Sequence, residues 1–312
     1  MTTAQPAGET PAAPGGSTTP GGSTTLAGRT VARIGFGAMQ LAEGRGDRPA
    51  PDRAVAITVL RSAVEQGVNH IDTAQFYAAG ACNGLIRDAL HPYPAGLALV
   101  SKVGADHVPG RGLVPAQRPA QLRAAVEANL ATLGAEQLAV VNLRRLDEPP
   151  GIVAETDQRV DLDSQLAELI ALRDEGKIGG IGLSNVSPAQ LRQAVPAGVE
   201  CVQNAYSVLD RSSEPLLRLC EELGEAWVPF FPLGSAFPGR PKVAEHPVVV
   251  AVAESLGATP AQVGLAWLLN RYERALLIPG TASPAHLADN IAAGSIRLGP
   301  DAVAALDAIA PR

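Results

Sequence analysis

The sequence contains little cysteine, and the cysteines it has form no cluster. Cys82, Cys201 and Cys220 are the only three, and no Cys-x-x-Cys or Cys/His grouping occurs in the 312 residues. A disulfide framework or a zinc site needs paired or closely spaced ligands, so neither is indicated and no metal site is predicted. Unpaired cysteines favour a reducing compartment, and the predicted location is the cytoplasm.

Long apolar segments, aromatic residues and excess positive charge are also scarce. The longest apolar candidate, Val248–Ala253, is far too short to cross a membrane. The net charge of −6 argues against non-specific binding to nucleic acid, whose phosphates attract a basic surface. Aromatic residues are only 4% of the chain, so the predicted core consists mainly of Ala, Val, Leu and Ile. The expected partner is a small molecule, and the sequence predicts no oligomeric state.

The first 25 residues differ in composition from the rest of the chain. They are rich in Thr, Pro, Gly and Ala, and they contain no apolar segment of the kind found in a secretory signal. This composition predicts a disordered N-terminal tail over residues 1–25. Residues 26–312 are then predicted to form one domain.

Short apolar runs alternate with amphipathic stretches through the rest of the chain. Buried strands that alternate with helices predict repeated strand–helix–strand units and a parallel sheet. Eight such runs predict an α/β fold, a single (β/α)8 TIM barrel. The predicted strands are Val31–Phe36, Val68–Ile71, Leu97–Val100, Leu138–Leu143, Ile178–Leu183, Val199–Val202, Ala226–Phe230 and Leu276–Ile278.

The helical patterns lie between these strands. A doubly wound open sheet is the alternative architecture, and it usually begins with a Gly-x-Gly-x-x-Gly turn that leads into a helix. Here Gly35-Phe36-Gly37 lacks the third glycine and runs into a long polar loop, which disfavours that fold. The predicted helices are Ala54–Glu65, Gln121–Leu133, Asp163–Asp174, Pro188–Ala194, Ser213–Leu223, Pro260–Asn270 and Pro284–Ala293.

Polar side chains follow the second and third predicted strands. Asp72 and Tyr77 come after the second strand, and Lys102 follows the third. In a TIM barrel the carboxyl ends of the strands carry the chemistry, so we expect these three groups to meet there. A tyrosine is a weak acid at neutral pH, and a nearby ammonium lowers its pKa. Tyr77 is therefore predicted to be a general acid for a carbonyl oxygen, tuned by Lys102 and Asp72.

Each of these residues also has a purely structural interpretation. Asp72 would cap the following helix, Tyr77 would pack in a loop, and Lys102 would form a plain ion pair with Asp72. A second chemical interpretation makes Lys102 the Schiff-base amine of a lyase. That reaction needs an uncharged lysine, which a neighbouring carboxylate opposes. The order and spacing of the three residues together favour the proton-donor interpretation.

These residues lie in segments that resemble the aldo-keto reductase family, and the resemblance extends from about residue 30 to 290. It implies a (β/α)8 barrel that reduces an aldehyde or ketone to an alcohol with NAD(P)H. It also implies catalytic positions at Asp72, Tyr77 and Lys102, with Tyr77 as proton donor. The matching segments are Ile34–Met39, Gly67–Tyr77, Val100–Lys102, Gly179–Asn185, Val202–Tyr206, Pro232–Ser235 and Ile278–Asn290.

The resemblance also implies a set of cofactor-binding residues. Ser184, Asn185 and Gln203 match the groups that hydrogen-bond the nicotinamide carboxamide, and Phe230 matches the aromatic residue that stacks on the nicotinamide ring. Helix starts and loops at the last strands suit a pyrophosphate. The other implied positions are Gly37 and Met39 after the first strand, Phe231, Pro232, Leu233, Gly234 and Ser235 around the pyrophosphate, and Gly280, Thr281, Ser283, His286, Asp289 and Asn290 at the adenosine end.

One implied catalytic position departs from the family. The family usually carries a histidine at the end of the fourth strand, where Arg144 stands here, or Arg145 if the alignment shifts by one residue. Arginine is always charged and donates several hydrogen bonds. We predict that Arg144 binds the carbonyl oxygen or an acidic substrate group and further lowers the pKa of Tyr77. The alternative is that Arg144 pairs with Asp147 or Asp72 and contacts no substrate.

The cofactor positions favour NADPH, with NADH as the alternative. Lys and Arg often surround the 2′-phosphate in NADP-selective members, whereas Gly280 and His286 stand here. Thr281, Ser283 and His286 would still bind a phosphate. Because Arg144 replaces the usual histidine, a non-catalytic NADPH-binding module of the same fold is a further alternative to a reductase.

Overall fold

The computed structural model describes residues 19–42, 49–234 and 241–310. Most of the predicted tail, residues 1–18, lies outside the described residues. The tail prediction is wrong at its end, because residues 23–25 belong to a hairpin of strands β1 (Ser23–Leu26) and β2 (Arg29–Ala32). Leu26 and Val31 are fully buried among the interior residues of the barrel. That burial makes the hairpin part of the folded domain.

Seven parallel strands form one sheet, in the order β11-β10-β9-β8-β5-β4-β3. Two bridges close the sheet into a barrel, since Trp227 pairs with Ala275 and Ile34 pairs with Leu277, both in parallel. Residues 275–278 therefore serve as the eighth strand, and the predicted (β/α)8 barrel is confirmed. The seven strands are β3 (Phe36–Gly37), β4 (His70–Asp72), β5 (Ala98–Val103), β8 (Leu138–Arg144), β9 (Ile178–Ser184), β10 (Val199–Gln203) and β11 (Ala226–Trp227).

Helices surround the barrel, and all seven predicted ones are present. Several begin with proline at the first turn, and Ser187 and Thr259 each form a capping box that satisfies exposed backbone N–H groups. The sequence patterns missed α2, α7 and α10. The ten helices are α1 (Arg53–Glu65), α2 (Ala81–Leu90), α3 (Pro119–Leu133), α4 (Leu162–Asp174), α5 (Pro188–Ala194), α6 (Glu214–Leu223), α7 (Pro247–Leu256), α8 (Pro260–Arg271), α9 (Pro284–Ala292) and α10 (Pro300–Asp307) in the described ranges.

The two ends of the barrel are covered differently. The β1–β2 hairpin lies at the amino ends of the strands, where the Asn69 side chain bonds to Ala32 N at 2.8 Å and Thr30 O at 2.9 Å. A second hairpin, β6 (Ala105–Val108) and β7 (Gly112–Pro115), follows β5 in a segment outside the predicted strands and helices. It lies at the carboxyl ends, where the site residues gather.

Two apolar layers stabilise the barrel. The larger one lies between the strands and the surrounding helices, and the smaller one fills the barrel with residues such as Val100, Val140 and Leu276. Burial of these side chains is the main stabilising term of such a fold. Among the described residues, no single helix has both the length and the apolar character to cross a membrane. Together α7 and α8 reach both, but they meet at a bend of 93°.

Candidate active site

Three predicted site residues share one layer at the carboxyl ends of neighbouring strands. Arg144 at the end of β8 is in register with Ser184 of β9, and Ser184 is in register with Gln203 of β10. Parallel strands bring residues of equal register side by side, so these three side chains occupy one level of the barrel mouth. Asp72 ends β4, on the far side of β5 from β8.

Lys102 lies at the centre of a buried polar cluster. Its ammonium hydrogen-bonds the Asp72 carboxylate, donates to Thr73 O at 3.1 Å and lies 5.1 Å from the centroid of the Tyr77 ring. Gln203 Nε2 donates to the second Asp72 oxygen at 2.9 Å. The structure thus brings the predicted acid, phenol and ammonium together, and it adds the Gln203 amide to them.

The charges of this cluster decide which protonation states are populated. Burial alone would lower the pKa of Lys102, but the neighbouring Asp72 and Tyr77 outweigh it and raise that pKa above its usual value. Burial raises the pKa of Tyr77, although Lys102 and Arg144 both lower it. The predicted lowering of the Tyr77 pKa is therefore wrong in its net direction. Burial destabilises the phenolate by more than the positive charges of Lys102 and Arg144 stabilise it.

Arg144 and Arg145 face different environments. The Arg144 guanidinium lies 5.6 Å from the centroid of the Phe230 ring and donates to Pro150 O at 2.9 Å. Arg145 instead forms the ion pair with Asp147, with two hydrogen bonds of 2.8 Å. Burial lowers the pKa of Arg144. Among the described residues, the predicted alternative of a pair between Arg144 and Asp147 or Asp72 is not formed.

The residues predicted to bind the nicotinamide carboxamide differ in their hydrogen bonding. Ser184 Oγ is buried and has no hydrogen-bond partner in the part of the chain that the structure describes. Asn185 adopts a left-handed backbone, with φ of 56°, and its Nδ2 donates to Arg145 O at 3.2 Å and Glu148 O at 2.9 Å. Asn185 therefore holds the loop after β8 in place by hydrogen bonds. The Ser184 hydroxyl is still able to donate and accept a hydrogen bond.

The segment after β11 turns sharply beside this layer. Phe230 and Phe231 pack edge to face at 5.0 Å, and Phe231 has a left-handed φ of 55°. Gly234 also has a positive φ, and a Cβ there would lie 2.3 Å from Pro241 O, so the turn admits only glycine. Ser235 lies outside the described residues. Pro232 and Leu233 complete the turn, and both are half-buried.

The predicted adenosine end clusters around the start of α9. Thr281 Oγ1 accepts a hydrogen bond from Ser283 N at 3.0 Å, and Ser283 Oγ caps α9 by accepting from His286 N. His286 is exposed, Asp289 is half-buried and Asn290 is buried. A helix start with capping hydroxyl groups and an exposed imidazole offers donors to a phosphate.

Two predicted glycines are explained by close packing of the backbone. A Cβ on Gly37 would lie 2.5 Å from Ile278 O, and one on Gly280 would lie 2.3 Å from Gly37 O. The backbones of β3 and residues 278–280 therefore approach each other so closely that only glycine fits at these two positions. Met39 lies half-buried in the short helix that follows Gly37.

A groove of about 840 Å³ opens at the carboxyl ends of β8 to β11. Asn185, Asn204, Phe231 and Gly234 are among the residues that line it. Its volume lies in the range of small-molecule sites, but Asp72, Tyr77, Lys102 and Arg144 are not among the residues that line it. Among the described residues, no group of three or more His, Cys, Asp or Glu side chains is placed to hold a metal ion.

Sequence reasoning missed a set of buried polar residues behind this cluster. Asn83 and Asn129 are fully buried, and they are hydrogen-bonded to each other at 2.9 Å. The signal was present for Asn129, which continues the apolar face of Leu122, Val126 and Leu133 in α3. A polar residue on a core-facing stripe needs a buried partner, and this requirement marks it as part of a network.

A closed (β/α)8 barrel with an ion-paired lysine, a partly buried phenol and a carboxylate at its carboxyl end has the groups of an enzyme that transfers a proton within the barrel mouth. Residues 33–311 match the model of the Aldo/keto reductase family. The chain belongs to this family and is an oxidoreductase that acts on carbonyl compounds, as the sequence resemblance predicted.

Curated and solved relatives agree with this assignment. The chain is 43% identical over 282 residues to pyridoxine 4-dehydrogenase of Escherichia coli strain K12, and the match covers 90% of this chain and 96% of that protein. It is 30% identical over 299 residues to probable aldo-keto reductase 1 of Glycine max, covering 86% and 82%. The crystal structure of an aldo/keto reductase from Klebsiella pneumoniae in complex with NADP and acetate is 27% identical, with a TM-score of 0.73 and coverage of 89% and 91%.

Proposed function

We propose that the protein is an NADPH-dependent reductase that converts an aldehyde or ketone to an alcohol, with Tyr77 as proton donor. The convergence of the partly buried Tyr77 with the buried Lys102 and Asp72 is the observation that carries this proposal. Similar solved enzymes support the cofactor, since two Klebsiella pneumoniae structures at 27% and 26% identity are complexes with NADP and NADPH.

The proton step follows from the protonation states of this cluster. Because burial raises its pKa, Tyr77 keeps its proton at neutral pH and has it available for a carbonyl oxygen. Lys102 remains charged, because Asp72 and Tyr77 raise its pKa. An ammonium 5.1 Å from the ring centroid stabilises the phenolate that forms when the proton leaves.

The residues present fit a dinucleotide. When bound, NADPH supplies the hydride that reduces the carbonyl carbon. Ser184 Oγ, buried and without a partner among the described residues, would bond to the carboxamide, and the half-buried Phe230 ring would support the nicotinamide. Ser283 and His286 at the start of α9 would hold the 2′-phosphate, while NADH remains the alternative cofactor.

Arg144 is proposed to bind the carbonyl oxygen or an acidic group of the substrate. Its guanidinium lies over Phe230. It is also close enough to Tyr77 for the charge of each group to shift the pKa of the other. A single hydrogen bond to Pro150 O leaves most of its five N–H donors unused among the described residues. Such a group would draw an oxyanion toward the Tyr77 proton.

The substrate proposed for the first test is pyridoxal. The Escherichia coli relative is named as a dehydrogenase of pyridoxine at its 4 position, and the match covers 96% of that protein. Dehydrogenation of the 4-hydroxymethyl group gives an aldehyde, so the reverse direction is a carbonyl reduction. Arg144 offers a cation for the phenolic oxygen on the ring carbon next to the one that bears the aldehyde.

The two other functions weighed from the sequence fit the site less well. A Schiff-base lyase needs a neutral lysine, whereas Asp72 and Tyr77 raise the pKa of Lys102. A non-catalytic NADPH-binding module would not need a protonated phenol beside a charged lysine. The protein is further proposed to act in the cytoplasm, because Cys82, Cys201 and Cys220 are buried and form no disulfides.

A fluorescence titration with NADPH and NADH, followed by a carbonyl screen, tests the proposal. We expect tighter binding of NADPH than of NADH and turnover of pyridoxal or another aldehyde. Tight NADPH binding without turnover across a broad set of aldehydes and ketones would support the non-catalytic module instead. Borohydride trapping of a carbonyl compound on Lys102 would support the lyase.

A further inference from the structure

A buried amide network lies behind the loop that carries Tyr77. Asn83 of α2 is at its centre and is fully buried. Thr73 Oγ1 donates to Asn83 Oδ1 at 2.8 Å, and Asn83 Nδ2 donates to Gln75 Oε1 and Asn129 Oδ1, both at 2.9 Å. A buried amide is costly unless it is bonded, and this one is bonded to three residues, two in the loop after β4 and one in α3.

The network also reaches the residues next to Lys102. The backbone carbonyl of Thr73 accepts from Lys102 Nζ at 3.1 Å, while the Thr73 hydroxyl is held by Asn83. Ser101, the residue before Lys102 in β5, donates to Asn129 Oδ1 at 2.6 Å. Asn83 is thus linked to the end of β4 and, through Asn129, to β5.

The turn after Tyr77 needs this outside support. Ala78, with φ of 48°, and Ala79, with φ of 51°, have left-handed backbones, and Gly80 follows with φ of 89°. A left-handed conformation is unfavourable for alanine and persists only where its surroundings hold it. A Cβ on Gly80 would lie 2.6 Å from Gln75 Nε2, so the turn packs directly against the Gln75 amide.

We infer that Asn83 is a positioning residue, which fixes the Tyr77 phenol against Lys102 by holding Thr73 and Gln75. This inference rests on the proposed function, in which Tyr77 donates the proton. In the part of the chain that the structure describes, Asn83 forms no hydrogen bond with Asp72, Tyr77 or Lys102 itself. Its loss displaces the phenol from its reacting position, and displacement of about 1 Å is enough to slow an enzymatic step strongly.

Two variants and a matched control test this role. Asn83→Ala removes the central amide. Gln75→Ala, at a half-buried position, removes only the hydrogen bond that links Asn83 to the turn after Tyr77. The control is Asn69→Ala, which removes the asparagine directly before β4, at the opposite end of that strand from Thr73. The Asn69 side chain holds only the backbone of Thr30 and Ala32 in the β1–β2 hairpin.

The measurements are NADPH affinity, kcat, KM and hydrogen–deuterium exchange of residues 73–80. For Asn83→Ala and Gln75→Ala we expect kcat to fall about tenfold or more, NADPH affinity to stay within about twofold, and exchange in this segment to increase. For Asn69→Ala we expect a lower Tm with wild-type kcat and wild-type exchange in this segment.

Wild-type kcat and exchange in a folded Asn83→Ala or Gln75→Ala protein would overturn the inference. If Asn83→Ala does not fold, Gln75→Ala alone decides. Failure of the wild-type protein to reduce any carbonyl compound would refute the proposed function instead. The exchange measurement, which needs no turnover, would then still decide whether Asn83 holds the Tyr77 segment.

Discussion

Charge and burial oppose each other at Lys102 and Tyr77, and a different effect wins at each residue. Lys102 has a carboxylate as a direct hydrogen-bond partner, and this attraction outweighs the cost of burying the ammonium. At Tyr77, burial outweighs the charge and hydrogen bond of Lys102 and the charge of Arg144, so the pKa of the phenol is raised. The combination at neutral pH is a protonated phenol beside a charged lysine, which is the state a proton donor requires.

Arg144 provides a prediction at the residue scale. In Arg144→Ala we expect kcat/KM for pyridoxal to fall about tenfold to a hundredfold, because a charge-assisted hydrogen bond to the substrate oxygen is lost. NADPH affinity should change little. Steady-state kinetics with a fluorescence titration of the cofactor measures both.

Arg144→Lys serves as the control for this prediction. Lysine keeps the positive charge but loses the planar fork, so partial activity is expected. If kcat/KM of Arg144→Ala equals that of the wild-type protein, Arg144 has no part in the reaction.

The sequence identified the chemistry-bearing residues better than their electrostatics. Asp72, Tyr77 and Lys102 were recognisable because each follows a buried strand, and such ends meet on one face of a barrel. The raised pKa of Tyr77 was not predictable, because it depends on how many neighbouring groups exclude water from the phenol.

The turn over residues 78–80 provides a prediction at the element scale. Glycine adopts a left-handed backbone without the steric penalty of alanine. In Ala79→Gly we therefore expect the free energy of unfolding to rise by up to about 1 kcal/mol. Chemical denaturation of the purified variant measures the change.

The same substitution in a helix is the matched control. Ala124 is exposed in the interior of α3, and Ala124→Gly should lower the free energy of unfolding by about 1 kcal/mol. Equal destabilisation by both variants would show that the backbone at Ala79 is not strained.

The elements that the sequence missed have physical reasons. The core-facing side of α2 carries Asn83 beside Cys82 and Ile86, which interrupts the apolar pattern. Its start follows a left-handed turn rather than a conventional cap. In α7, Val248–Ala253 is apolar on all sides, so no helical period stands out.

At the scale of the whole molecule, the alternation of strands and helices was enough to predict the barrel. Its closure is less evident in the sequence, because residues 275–278 pair only through isolated bridges to Trp227 and Ile34. The close approach of Gly37 and Gly280 completes that seam. Their packing explains both glycines without any contact to a cofactor.

His70 gives the stability of the fold a dependence on pH. It is buried, and burial lowers its pKa from 6.5 to about 4. The unfolded chain binds a proton below about pH 6.5, whereas the folded chain does so only near pH 4. The contribution of neutral His70 to the free energy of unfolding is therefore complete above pH 6.5 and is lost as the pH falls toward 4. The loss amounts to about 3 kcal/mol for this group.

Urea denaturation at several pH values between 7 and 4 checks this prediction. His70→Gln carries no titrating group at this position, and its free energy of unfolding should fall less steeply over the same window. Parallel curves for the variant and the wild-type protein would exclude His70 as the source.

The account as a whole depends on Tyr77 as the proton donor. The most direct measurement is single-turnover reduction of pyridoxal, or of the best aldehyde from the screen, by NADPH-loaded Tyr77→Phe protein. We predict unchanged NADPH binding and a rate at least about a hundredfold lower than that of the wild-type protein, because the carbonyl oxygen receives no proton. A wild-type rate in Tyr77→Phe would contradict the account.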